Sequence, residues 1–121
     1  MANTFKVVTF AAEPNSAGTP YVVYTAGSGV TAVVLVLILT NINTAQVTAE
    51  VELVSDTGSR GGSNDVTNGT AFLAKDIPIP VGSSVELLSG NKVVLETTDQ
   101  IRIDCSVADK LSGALSVMEI T

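Results

Sequence analysis

The chain has 121 residues, of which 45% are hydrophobic, 15% charged and 4% aromatic, with no Trp, no His and one Cys. That length supports one sizeable core and not two, so a single domain over 1–121 is expected, built mainly from Val, Leu, Ile and Ala. A net charge of −6 with scattered Lys and Arg leaves no basic stripe for nucleic acid, and the lack of His removes Ser-His and Cys-His nucleophile pairs and the usual zinc sites.

From the start, MANTFKVVTF carries neither the apolar run nor the cleavage site of a secretory signal, so synthesis in a cytoplasm is expected. FKVVTFAA (5–12) has strand composition and ends in the turn-rich EPNSAGTP, where Pro14, Gly18 and Pro20 stop regular structure. YVVYT (21–25) is a β-branched and aromatic strand, and AGSG (26–29) turns the chain into VTAVVLVLIL (30–39). A membrane helix needs about 20 apolar residues, so this shorter run reads as a strand and no membrane contact is expected.

The run is unusual because both of its faces are apolar. Strict alternation puts Val33, Leu35, Leu37 and Leu39 on one side and Val34, Val36 and Ile38 on the other. One face of a sandwich strand normally meets water. A second apolar face therefore needs either a roof from the same chain or another subunit, and Val34, Val36 and Ile38 are the candidate subunit interface.

QVTAEVELV (46–54) alternates cleanly, with Val47, Ala49, Val51 and Leu53 inward and Thr48, Glu50 and Glu52 outward. The polar SDTGSRGGSNDVTNG (55–69) reads as an exposed loop, in which Asp56, Asn64 and Asp65 are conceivable calcium ligands but serve equally as loop formers. NGT (68–70) fits a glycosylation acceptor, a frequent chance match. In 70–89, two short strands joined through Pro78 and Pro80 are expected at a sheet edge or crossover.

Gly90 and Asn91 suggest a hairpin turn into KVVLET. QIRIDCSV (100–107) alternates with Ile101, Ile103, Cys105 and Val107 inward, and ALSVMEIT (114–121) is the last strand. Cys105, alone, is expected as a small core residue. Eight or nine strands without helical periodicity predict an all-β antiparallel β-sandwich of jelly-roll or immunoglobulin-like topology. Glu50 and Glu52 could pair as catalytic carboxylates only if they left solvent, so no catalytic residue, metal or cofactor is expected.

PIPVGSSVELLSGNKVVLETTDQIRI (78–103) and the closing ALSVMEIT, together with the MANTF start and the Thr-Ala-Val-Val-Leu of 31–35, resemble small virion structural proteins of tailed bacteriophages, particularly those infecting cyanobacteria. The resemblance implies a multicopy, non-enzymatic particle component made in the bacterial host cytoplasm and located in the virion. A capsid decoration (cement) protein heads the options, binding its own copies, in a trimer for example, and the major capsid protein. A neck, tail or fibre-associated component bound to a tail protein and a carbohydrate-binding sandwich are the alternatives. The second is weakened by the scarcity of aromatic residues, since only Phe5, Phe10, Tyr21, Tyr24 and Phe72 are present.

Overall fold

The structure, a computed structural model, describes residues 2–55, 69–88, 90 and 92–121. The proposed calcium ligands Asp56, Asn64 and Asp65, and Asn68 of the acceptor pattern, lie outside these residues.

Nine strands form two antiparallel sheets: β1 (Asn3–Glu13), β2 (Tyr21–Thr25), β3 (Thr31–Asn41), β4 (Val47–Ser55), β5 (Gly69–Ile79), β6 (Ser84–Leu87), β7 (Val93–Leu95), β8 (Gln100–Cys105) and β9 (Leu111–Ile120). In the first sheet the order is β1-β9-β3-β6, with β7 also on β3; in the second it is β2-β8-β4-β5. Consecutive strands cross between the sheets at almost every connection. Only the β4–β5 hairpin and the passage from β6 to β7 stay within one sheet. That wrapping is a jelly roll, which decides between the two expected topologies.

One core lies between the sheets. Phe10, Leu37, Leu39, Leu95, Leu111 and Leu115 from the first sheet meet Val47, Val51, Ile79, Ile101 and Ile103 from the second, all buried. Cys105 is buried with them, and burial pushes its thiol above the usual range. Val107, expected inward, is exposed because β8 ends at Cys105 and the chain turns away.

The hairpin expected at Gly90 does not form. β6 pairs Leu37–Thr40 and β7 pairs Ala32–Val34, both antiparallel to the same edge of β3, so they run end to end in one direction. The prolines are placed differently too: β5 runs through Pro78, which an edge strand tolerates because no ladder bond is needed on its open side. The turn follows instead at Pro80–Ser83, closed by Ser83 N–H donating to Pro80 O at 3.2 Å, with Gly82 at φ 74° supplying the left-handed position.

Asn41 ends β3 and ties three segments together. Its Nδ2 donates to Ile79 O at 2.8 Å and Ala45 O at 3.0 Å, while its Oδ1 accepts from Asn43 N–H at 2.7 Å. Because Asn41 is buried, truncation would leave these backbone groups short of partners away from water. Asn41→Ala should destabilise the fold by about 1–3 kcal/mol, read as a lower urea midpoint at unchanged slope.

A second tie joins the sheets. Tyr24 OH, on β2, donates to Glu119 Oε2 on β9, and Lys6 Nζ lies 2.9 Å from Glu119 Oε1. The Tyr24 hydrogen bond and then Lys6 hold the Glu119 carboxyl below the ordinary range, while burial and the neighbouring carboxylate push the Tyr24 phenol up. A lowered carboxyl pKa stabilises the fold above the unfolded value of about 4.5 and is lost as pH falls through the folded value. Thermal melts of the wild type should therefore lose stability below about pH 4.5, and Glu119→Gln should remove that portion of the slope.

Candidate assembly interface

The outer face of the first sheet is set by the register of its strands. Across β1, β9 and β3 the outward rows read Phe5–Met118–Val33, Val7–Ser116–Val36 and Thr9–Ala114–Ile38. Val94 on β7 extends the first row and Glu86 on β6 the last. Within β1, β9 and β3 no outward position in these rows carries a charge.

A bulge controls which residues of β3 reach this face. Val34 pairs with Val117 and Val36 with Ser116, so Leu35 is the extra residue. Before the bulge Ala32 and Val34 point into the core; after it Leu37 and Leu39 do. The strand thus changes phase midway, and Val33, Leu35, Val36 and Ile38 are left on the outside. Of the three residues assigned to a subunit interface by strict alternation, Val36 and Ile38 lie on the outer face. Val34 does not: it is fully enclosed in the core, because the inserted Leu35 breaks the alternation that linked it to Val36.

Strict alternation also missed Phe5, Val7, Leu35, Val94 and Met118. Phe5 and Val7 are 71% and 63% exposed and Val94 57%, so most of their transfer free energy is still to be gained by an interface. Complete burial of such a side chain is worth about 1.5–3 kcal/mol. Phe5 and Val7 form one bank of a shallow groove, Leu35 the other, and Ser116 lies between them. The signal for β1 was present in FKVVTF, where Phe5 and Val7 fall on one face and Val8 and Phe10 on the other.

The second sheet presents a different outer surface. Glu50 pairs with Lys75 at 2.7 Å, and Glu52 with Arg102, its neighbour in register, at 2.6 Å. Lys75 also lies 4.7 Å from the centre of the Phe72 ring. The Glu50 hydrogen bond raises the Lys75 pKa. Glu50 and Glu52 therefore each face a cation; Glu52, expected in solvent, is buried against Arg102, and Glu50 is half-buried beside Lys75. A cleft on this side is bordered by Glu50, Asp76 and Asp104, but the Asp104 carboxylate already accepts Gly18 N–H at 3.1 Å and Cys105 N–H at 2.8 Å. Among the described residues no group of three or more acidic or thiol side chains could hold a metal.

No protein-family model matches the chain, and no curated protein matches its sequence. Solved structures do share its fold. A chain of the T13 viral particle of IBDV is 13% identical with a TM-score of 0.53, over 97% of this chain and 30% of that one. Infectious bursal disease virus of the Gx strain gives 14% identity and a TM-score of 0.46, over 97% and 32%. The Bacillus endospore appendages, a family of disulfide-linked pili, give 17% and 0.45, over 98% and 84%. At these identities the likeness concerns the fold, and the chain spans about a third of the viral chains it matches.

Proposed function

We propose that the protein is a non-enzymatic structural component of a virion, a capsid decoration protein that docks on the assembled shell through the outer face of its first sheet. The contrast between the two outer faces carries this reading. One carries the ion pairs Glu50–Lys75 and Glu52–Arg102, whereas the outward rows of β1, β9 and β3 carry no charge and are mostly apolar, although both faces would meet water in an isolated sandwich. The jelly-roll fold shared with a chain of a viral particle and the resemblance of 78–103 to phage virion proteins support the same assignment.

Cementing of this kind works by mass action: a protein that binds only the assembled lattice stabilises it by its binding free energy, multiplied by many copies. A carbohydrate platform finds less support, since the exposed rings Phe5 and Phe72 lie on different sheets. Electron cryo-microscopy of the particle that contains this chain tests the reading. A neighbouring subunit should cover Val33, Val36 and Ile38; a first sheet open to solvent in the particle refutes the docking face, and a position on the neck or tail replaces the shell as its partner.

A further inference from the structure

We infer that two copies of this chain pair edge to edge through β1, in antiparallel register centred on Val7, to form a continuous sheet across a two-fold axis. The inference starts from backbone geometry. Ala2 and Thr121 exchange both backbone hydrogen bonds, at 3.2 and 3.0 Å. In an antiparallel ladder such doubly bonded pairs recur at every second residue. The register is unbroken from Asn3 to Phe10, so Thr4, Lys6, Val8 and Phe10 bond to β9. The N–H and C=O groups of Asn3, Phe5, Val7 and Thr9 then point away from the sheet, and among the described residues no strand pairs with that side.

The other three edges are blunted by the devices that normally prevent edge pairing. β2 has only five residues, follows Pro20 and bulges between Val22 and Tyr24. β5 contains Pro78, the left-handed Asp76 and two register shifts. The β6–β7 edge is split into pieces of four and three residues. By contrast β1 is eleven residues long, has no proline, and bulges only beyond Phe10. Its one charge before Glu13, Lys6, is turned back onto Glu119 of the adjacent strand.

A strand edge of this kind fits another strand, and the side chains select a second copy of β1. Pairing centred on Lys6 would set two ammonium groups opposite each other, which is unfavourable. Centring on Val8 would push Phe5 against the bulge at Ala11. Centring on Val7 pairs residues 4–10 entirely within the regular segment: Val7 faces Val7, Phe5 faces Thr9, and Lys6 faces Val8 of the second copy. All outward-pointing donors and acceptors of Phe5, Val7 and Thr9 are then used.

The two-fold axis stands perpendicular to the sheet, so both apolar outer faces point the same way and meet at Phe5 and Val7. The consequence for docking rests on the proposed function, since a doubled face would then meet the shell; the pairing itself stands on the edge alone. The arrangement is two-fold, in place of the trimer the family resemblance suggested.

Sedimentation of the full chain should show a monomer–dimer equilibrium. Val7→Pro removes an N–H that points outward, which an edge strand tolerates, and should raise the dimer dissociation constant about 100-fold with the melting temperature little changed. Val7→Cys should form a disulfide-linked dimer on air oxidation, because paired Cα atoms in such a register stand about 5.5 Å apart, within disulfide reach. Cys105 is buried and does not compete. If Val7→Pro fails to fold, the Val7→Cys cross-link decides.

A wild type that stays monomeric, a Val7→Pro dimer of unchanged affinity, or a Val7→Cys chain that does not cross-link overturns the inference. Val36→Asp separates it from the docking face. Loss of the dimer in Val36→Asp but not in Val7→Pro removes the edge and leaves the face. Loss of the dimer only in Val7→Pro, with Val36→Asp still binding particles, leaves the edge and removes the face.

Discussion

Leu37→Ala is expected to lower the unfolding free energy by about 2–5 kcal/mol, whereas Val36→Asp, one position earlier, should leave the fold largely intact and abolish the docking proposed for the outer face. The two residues are neighbours in sequence but occupy opposite faces of β3. Leu37 has no exposed surface and packs between the sheets, so truncation leaves a cavity that neighbouring strands fill only in part. A domain of this size is stable by only about 5–15 kcal/mol, so the loss is a large fraction of the total.

Val36 lies on the outer face opposite Ser116, where a carboxylate keeps its water until a partner arrives. Docking would then strip that charge of solvent with no cation beside it, at a cost of several kcal/mol. Ile38→Asp should act likewise but with some extra loss of stability, because Ile38 sits opposite Glu86 and like charges across a strand pair repel. Urea unfolding and co-sedimentation with particles read the two effects separately. If Val36→Asp unfolds the chain as deeply as Leu37→Ala, the outer face belongs to the monomer's own core and the docking assignment falls.

Gly113→Ala should be almost as damaging, at about 3 kcal/mol or more, although it adds a single methyl group. Gly113 is the third residue of β9, directly opposite Phe10 on one side and Leu39 on the other. A Cβ there would overlap the backbone oxygen of Ile38 and stand 2.7 Å from Phe10 Cζ. The ring of Phe10 covers the glycine, an arrangement in which an aromatic side chain occupies the space a strand glycine leaves empty. Its ring in turn lies 5.9 Å from that of Tyr21 on the second sheet, so displacing it disturbs the contact between sheets.

Phe10→Leu in the same chain should recover only part of the loss, since the overlap with Ile38 involves backbone that cannot rotate away. Thermal melts of the single and double variants provide the measurement. A Gly113→Ala chain that melts within a degree or two of the wild type would mean that β9 and β3 are packed more loosely than their register implies.

The sequence by itself determined the class of fold and most of the strands. Val47, Ala49 and Val51 in β4, and Ile101, Ile103 and Cys105 in β8, alternate because one face of each strand is wet, and that pattern is local. It also revealed that 33–39 carries apolar residues for two faces, so that either a segment of the same chain or another subunit had to cover the second. Tertiary pairing decided the rest. Whether Val34 or Leu35 turns outward depends on where β9 and β7 take up their register along β3, and one inserted residue reverses the phase of every residue after it.

The same holds for Gly90, whose turn chemistry suggests a hairpin while the open edge of β3 captures both β6 and β7. The exposure of Phe5 and Val7 is likewise a property of β1 being last in its sheet, and no local pattern records which strand ends a sheet. Hydrophobic period is written residue by residue; bulges, strand order and free edges arise from pairing between segments far apart in the chain, and only the folded molecule specifies them.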